Sequence, residues 1–231
     1  MSYGVDLDWL PLGAGGHFVR FNGRVYEACD AAIHHRSRGE LYHSALEVHV
    51  PSGRFVIEQT PVPDGRGSRR GVVAEGAVGS RLAARLRIFR YEIRCWRDGA
   101  IPDLSEAVES PRSLTADPDV ARRLLDLVPS VPTLVWGRDE VHAGEMWNSN
   151  SIIAWVIVSA GLDVAEGRLP ERGRAPGWQA GITVASRAER FVSALTSGCG
   201  RTEILRCYHG IPTRSTRDII AVDTERLPCG R

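Results

Sequence analysis

The chain has 231 residues, 43% of them hydrophobic, and a formal net charge of +1 from 29 basic and 28 acidic side chains. That length and apolar content can bury a sizeable core, and a charge balance this even gives no general attraction to nucleic acid or to a membrane surface. Every basic residue is Arg and the sequence contains no Lys, which excludes a Schiff-base lysine and a P-loop.

Met1 to Leu12 carries Asp6 and Asp8 and lacks a basic region followed by an apolar run, so no signal peptide is expected there. Residues 13 to 60 read as strands. His17 to Phe21 and Arg24 to Tyr26 flank Asn22-Gly23, a strong hairpin signal. Tyr42 to Val50 and Arg54 to Thr60 flank a turn at Pro51-Ser52-Gly53, and both arms are rich in β-branched and aromatic residues. Residues 61 to 80, with many Gly and Pro, predict a mobile loop. Leu86 to Trp96 predicts a strand. Thr115 to Val128 predicts a helix, with Asp117-Pro118 at its start and Pro129 beyond its end.

Asn148 to Ala160 predicts a second helix, stopped by Gly161. It is apolar almost all round, which predicts central burial. Residues 163 to 180 predict another mobile loop, and Ser186 to Ser197 a short helix. The expected molecule is a single α+β domain over residues 1–231, an antiparallel sheet packed on a central buried helix. Its longest apolar stretch, Ile152 to Leu162, is short of the roughly 20 residues that span a bilayer.

The five cysteines, Cys29, Cys95, Cys199, Cys207 and Cys229, are odd in number, scattered and without a C-x-x-C pair. Reduced thiols in the cytoplasm are expected, with a Cys199–Cys207 disulfide as the alternative. Trp136 to Glu145 holds Asp139, Glu140, His142 and Glu145, but lacks metal-site spacing and reads as an acidic loop. Gly13-Ala14-Gly15-Gly16 lacks the strand and helix that a phosphate-binding loop needs. Arg69-Arg70 and Arg122-Arg123 read as solvated pairs. No metal or other cofactor is expected.

Two segments carry the chemistry. Leu41-Tyr42-His43-Ser44-Ala45-Leu46 puts an imidazole at the start of a strand. Trp147-Asn148-Ser149-Asn150-Ser151 opens the apolar helix. A helix N-terminus presents unpaired N–H groups and the positive end of its dipole, which stabilise an alkoxide or oxyanion. A histidine on a neighbouring strand can take the nucleophile's proton. Without chemistry, Asn148 to Ser151 are simply good cap formers, and His43 a hydrogen-bonded strand residue.

These segments resemble the permuted papain-like proteins, the PPPDE peptidases and their NlpC/P60-group relatives. In that group a strand beginning His-Ser/Thr precedes an Asn-Cys-Asn step that opens an apolar helix. The resemblance covers about a dozen residues and implies a circularly permuted papain/NlpC-like fold. The nucleophile position holds Ser149 rather than Cys. A serine variant, an engineered replacement and a site without hydrolytic activity all fit that departure. The implied activity is hydrolysis or acyl transfer at an amide or ester: Ser149 attacks, and His43 serves as base and then acid. Glu58 or Gln59, on the strand paired with that of His43, is the candidate to orient the imidazole, and the other reading of Glu58 is a solvated strand-edge carboxylate. Asn148, Trp147 and Trp178 would bind the substrate. The alternatives are an inactive papain-like protein that holds a peptide or small amide, and a structural module. Nucleic acid and membranes are not expected partners, and the oligomeric state is open.

Overall fold

Alternation of apolar residues along Glu40–Val50 and Gly53–Pro61 makes the central hairpin, strands β2 and β3, which pair in register from Leu46–Ile57 to Val50–Gly53. The computed structural model describes residues 3–12, 27, 31–32, 35, 37–62, 71–101 and 104–196. The expected 16–26 hairpin, the glycine run at 13–16, Arg69-Arg70, four of the five cysteines and the segment beyond 196 lie outside the described residues.

Strand β1 (Gly4–Pro11) pairs with β2, and β6 (Arg112–Thr115) with β1. Strand β5 (Arg90–Arg97) pairs with β3, and β4 (Val72–Ala77) with β5. The result is an open antiparallel sheet in the order β4-β5-β3-β2-β1-β6, and the short β7 (Gly173–Arg174) joins the start of β2 in parallel. The helices are α1 (Pro118–Leu127), α2 (Ser149–Ser159) and α3 (Trp178–Thr196). The architecture is therefore α+β.

One face of the sheet carries Val5, Leu7, Tyr42, Leu46, Val48, Ile57 and Ile93, and packs with α1 and α2 into one core. Helix α2 is buried from Asn150 to Ile157. The other face carries a small apolar cluster of Leu10, Ala45, Val56 and Ile101 within a field of charged side chains. Among the described residues no helix is long and apolar enough to cross a membrane.

Four expectations are corrected. Strands begin at Gly4, not at residue 13: Val5, Leu7 and Trp9 alternate with Asp6 and Asp8, so β1 has a legible period of two. Within the expected 61–80 loop, Val72 to Ala77 is a strand. Its Gly76 admits the Tyr91 ring, which lies 2.1 Å from where a Cβ would stand. The expected 86–96 strand starts only at Arg90. Residues 83–85 and 87–89 form 3₁₀ turns, because pairing with β4 ends at Ala77–Arg90 and Val78–Phe89. Finally, the expected 163–180 loop contains a 3₁₀ turn, β7 and the first residues of α3, which runs for 19 residues rather than a short stretch.

Candidate functional site

Asn148 has extended backbone and caps α2. Its Oδ1 accepts from the N–H groups of Asn150 (2.9 Å) and Ser151 (3.3 Å). The Asn148 N–H donates back to Ser151 Oγ at 3.0 Å, which closes a capping box. Its Nδ2 donates to the Pro176 carbonyl at 2.7 Å. Gly177 has φ +86°, and a Cβ there would stand 2.4 Å from Asn148 Oδ1. Glycine at 177 is what lets the chain entering α3 approach the start of α2 so closely.

Asn150 ties the same corner to the sheet. Its Nδ2 donates to the Tyr42 and Pro176 carbonyls, each at 3.0 Å, and its Oδ1 accepts from Ser44 Oγ at 2.9 Å. Ser151 Oγ donates to the Gly177 carbonyl at 2.8 Å. Asn150, Ser151 and Ser44 are all buried, so each polar group needs these partners. None of these bonds involves the Ser149 side chain, which stands at the first helical position and is partly exposed.

Strand alternation then decides where His43 goes. Ser44 faces the core and meets α2. His43 pairs with Leu10, and both lie on the opposite face with Ala45 and Val56. Glu58 follows Ile57, the partner of Leu46, so it shares that opposite face, where it pairs with Arg94. The structure thus brings His43 and Glu58 to one face of the sheet, and Asn148 and Ser149 to the helix start that packs on the other.

Trp147 and Trp178 are tied into the framework. Trp147 is 1% exposed and forms a bridge with Trp136. A ring so enclosed presents no surface to a ligand. Trp178 packs on Trp9 with ring centroids 5.0 Å apart at 51°, and Trp9 Nε1 donates to the Arg168 carbonyl at 3.1 Å.

The charged face has its own electrostatics. Asp8 sits beside Ala45 in the ladder, is 2% exposed, and its Oδ2 has no hydrogen-bond partner. Burial, then the carboxylates of Glu47 and Asp6, push its pKa up to about 6. Burial also raises Glu58, against the lowering effect of Arg94. Glu92, fully buried, accepts from Arg94 at 2.9 Å. Two buried carboxyls with raised pKa values on one face of a sheet are a pattern that proton-transfer sites share. Burial pushes the Cys95 thiol up to about 11, which makes it inert at neutral pH.

The acidic loop of residues 139–145 is occupied by protein donors. Asp139 accepts from the N–H groups of Ala143 and Gly144, Glu140 from Arg81 and the Val135 N–H, and Glu145 from the Gln179 N–H. Arg81 holds Glu140 below the usual carboxylate range. An open furrow of about 450 Å³ runs between this loop and the end of β4, lined by Gly79, Ser80, Arg81, Val135, Arg138, Asp139 and Glu140.

No protein-family model, curated protein or solved structure matches the chain.

Sequence reasoning passed over Ser44, Asn150 and Asp8. Asp8 follows Asp6 on a face that reads as solvated, but Ser44 and Asn150 each had a signal: a polar side chain at a position whose neighbours along the same face are apolar. Such a residue is either paired inside or carries function.

Proposed function

We propose that the chain is a permuted papain-like binding protein that holds a peptide or small amide ligand without cleaving it. The observation that carries this reading is the use made of the Asn148–Ser151 step. Asn148, Asn150 and Ser151 are all engaged in fastening α2 to β2 and to Pro176-Gly177. Two N–H groups of the first turn already donate to Asn148, so they are not open to an oxyanion. A serine hydroxyl is a poor nucleophile without a base within hydrogen-bond reach, and alternation turns His43 away from α2. The furrow beside Arg81 and Arg138 is open, and the guanidinium N–H groups there that do not bond Glu140 or the Gly79 carbonyl suit the carbonyls and carboxylate terminus of a peptide.

Reaction with a fluorophosphonate, followed by peptide mapping, tests the reading. No adduct is expected on Ser149 in the folded protein, and a mixture of short peptides is expected to raise the melting temperature. A stoichiometric adduct on Ser149 that disappears in Ser149→Ala would overturn it in favour of a serine hydrolase or acyltransferase. No adduct and no thermal shift would leave only a structural module.

A further inference from the structure

Residues 81–90 read Arg-Leu-Ala-Ala-Arg-Leu-Arg-Ile-Phe-Arg, and no acidic residue occurs from Gly76 to Tyr91. The net charge of +1 is an average that hides this window. Because β-pairing stops at Arg90, residues 83–85 and 87–89 form two 3₁₀ turns with no buried residue in either. Their apolar side chains have no sheet face to join. Leu82 is 67% exposed, Leu86 59%, Ile88 70% and Phe89 38%. Trp136, 41% exposed, is held beside them by its N–H to the Ala77 carbonyl (2.8 Å) and by its carbonyl to the Gly79 N–H (2.9 Å). Five of the seven exposed large hydrophobic residues among those described gather here, so the patch is not ordinary scatter.

The arginines divide by position. Arg81 is clamped by Glu140 through two bonds of 2.9 and 3.0 Å, and Arg90 reaches the Ala84 carbonyl and Glu75. These two brace the base of the segment. Arg85 and Arg87 are exposed between Leu82, Leu86 and Ile88, and Arg87 also has a partner within the protein.

We propose that this segment is a membrane-surface contact. Leu82, Leu86, Ile88 and Phe89 enter the boundary between headgroups and acyl chains of an anionic bilayer, while Arg85 meets lipid phosphate. Interleaved aliphatic and cationic side chains, with an exposed Trp beside them, match that boundary in both polarity and charge. A two-fold contact between copies would set like-charged segments against each other. A stable protein partner needs roughly 20–30 residues a side, whereas this segment is ten residues long. Insertion of a few side chains needs no such area.

Sedimentation with vesicles tests the contact. The protein is expected to pellet with phosphatidylcholine vesicles that contain phosphatidylserine, to remain in solution with phosphatidylcholine alone, and to be released by salt. Ile88→Asp, at a position too exposed to endanger folding, should weaken binding by about tenfold or more, and Arg85→Glu by about tenfold. Arg122→Glu makes the same change in net charge at an exposed position of α1 and should leave binding unchanged. Absence of pelleting with the anionic vesicles would overturn the proposal, as would equal loss in Arg122→Glu. So would a concentration-dependent dimer that Ile88→Asp abolishes, which would assign the patch to a second copy of the chain.

Discussion

Neighbouring residues at the start of α2 have opposite duties. Asn150 is buried and holds five polar atoms in place: its own two, the Pro176 carbonyl, the Ser44 hydroxyl and the Tyr42 carbonyl. Its replacement by Ala leaves the last two buried without partners. Asn150→Ala is therefore expected to cost roughly 2–3 kcal/mol in denaturant unfolding. Ser149→Ala, one residue earlier and partly exposed, should cost less than about 0.5 kcal/mol. Equal costs would show that Ser149 belongs to the corner and that the helix start has been misassigned. Motif reading singled out Ser149, because residue type and spacing were legible. It passed over Asn150, because which member of the Asn-Ser-Asn-Ser run faces β2 depends on the rotation of α2 about its axis, and packing sets that.

Helix α3 shows how a helical glycine can be essential. Ala is favoured over Gly inside a helix by about 1 kcal/mol, so Gly181→Ala stabilises on propensity alone. In this fold a Cβ at 181 would lie 2.1 Å from the Ser151 carbonyl oxygen and 2.9 Å from Ala154 Cβ. Backbone cannot yield as a flexible side chain can, so α2 and α3 would have to part. The substitution is expected to lower Tm by roughly 4–8 °C in a calorimetric scan, the effect of about 2 kcal/mol in a chain of this size. A raised Tm would mean that the crossing is looser than the structure has it. Just before Gly181, Gly173, Pro176 and Gly177 are why residues 163–180 read as a loop. Composition registers conformational freedom, whereas close approach between two helices is a pairwise property that neither helix announces alone.

At the scale of the whole molecule, the sheet has one apolar face and one charged face, and the charged face links stability to pH. The Asp8 carboxyl has its pKa raised from 3.8 to about 6 by burial first and by Glu47 and Asp6 next. The folded state therefore holds this proton more tightly than the unfolded state. Its contribution is fully present below 3.8 and is lost as pH rises through about 6. Above that range the buried carboxylate costs up to about 3 kcal/mol. Glu58, raised by burial, acts in the same direction. Asp8→Asn is expected to stabilise the protein in mildly alkaline buffer and to make almost no difference below pH 3.8, as read by denaturant melts at both conditions. An equal effect at both would show that Asp8 contributes through shape rather than through its proton.

The sequence by itself determined the α+β class, the β2–β3 hairpin, the capped α1 helix and the central burial of α2. These follow from local periodicity, turn chemistry and capping, each complete within about a dozen residues. It also placed a His-Ser strand ahead of an Asn-Ser-Asn-Ser helix start. Only the tertiary structure decided that Ser44 and Asn150 are the members that meet, that His43 and Glu58 share the opposite face with Asp8, and that residues 82–89 turn outward. The reason is parity and pairing. A shift of one residue in β2 would exchange Ser44 for His43 at α2. That register is fixed by the ladders to β1 and β3, by the crossing of α2 and α3, and by the end of the β4–β5 pairing, all contacts between residues far apart in the chain.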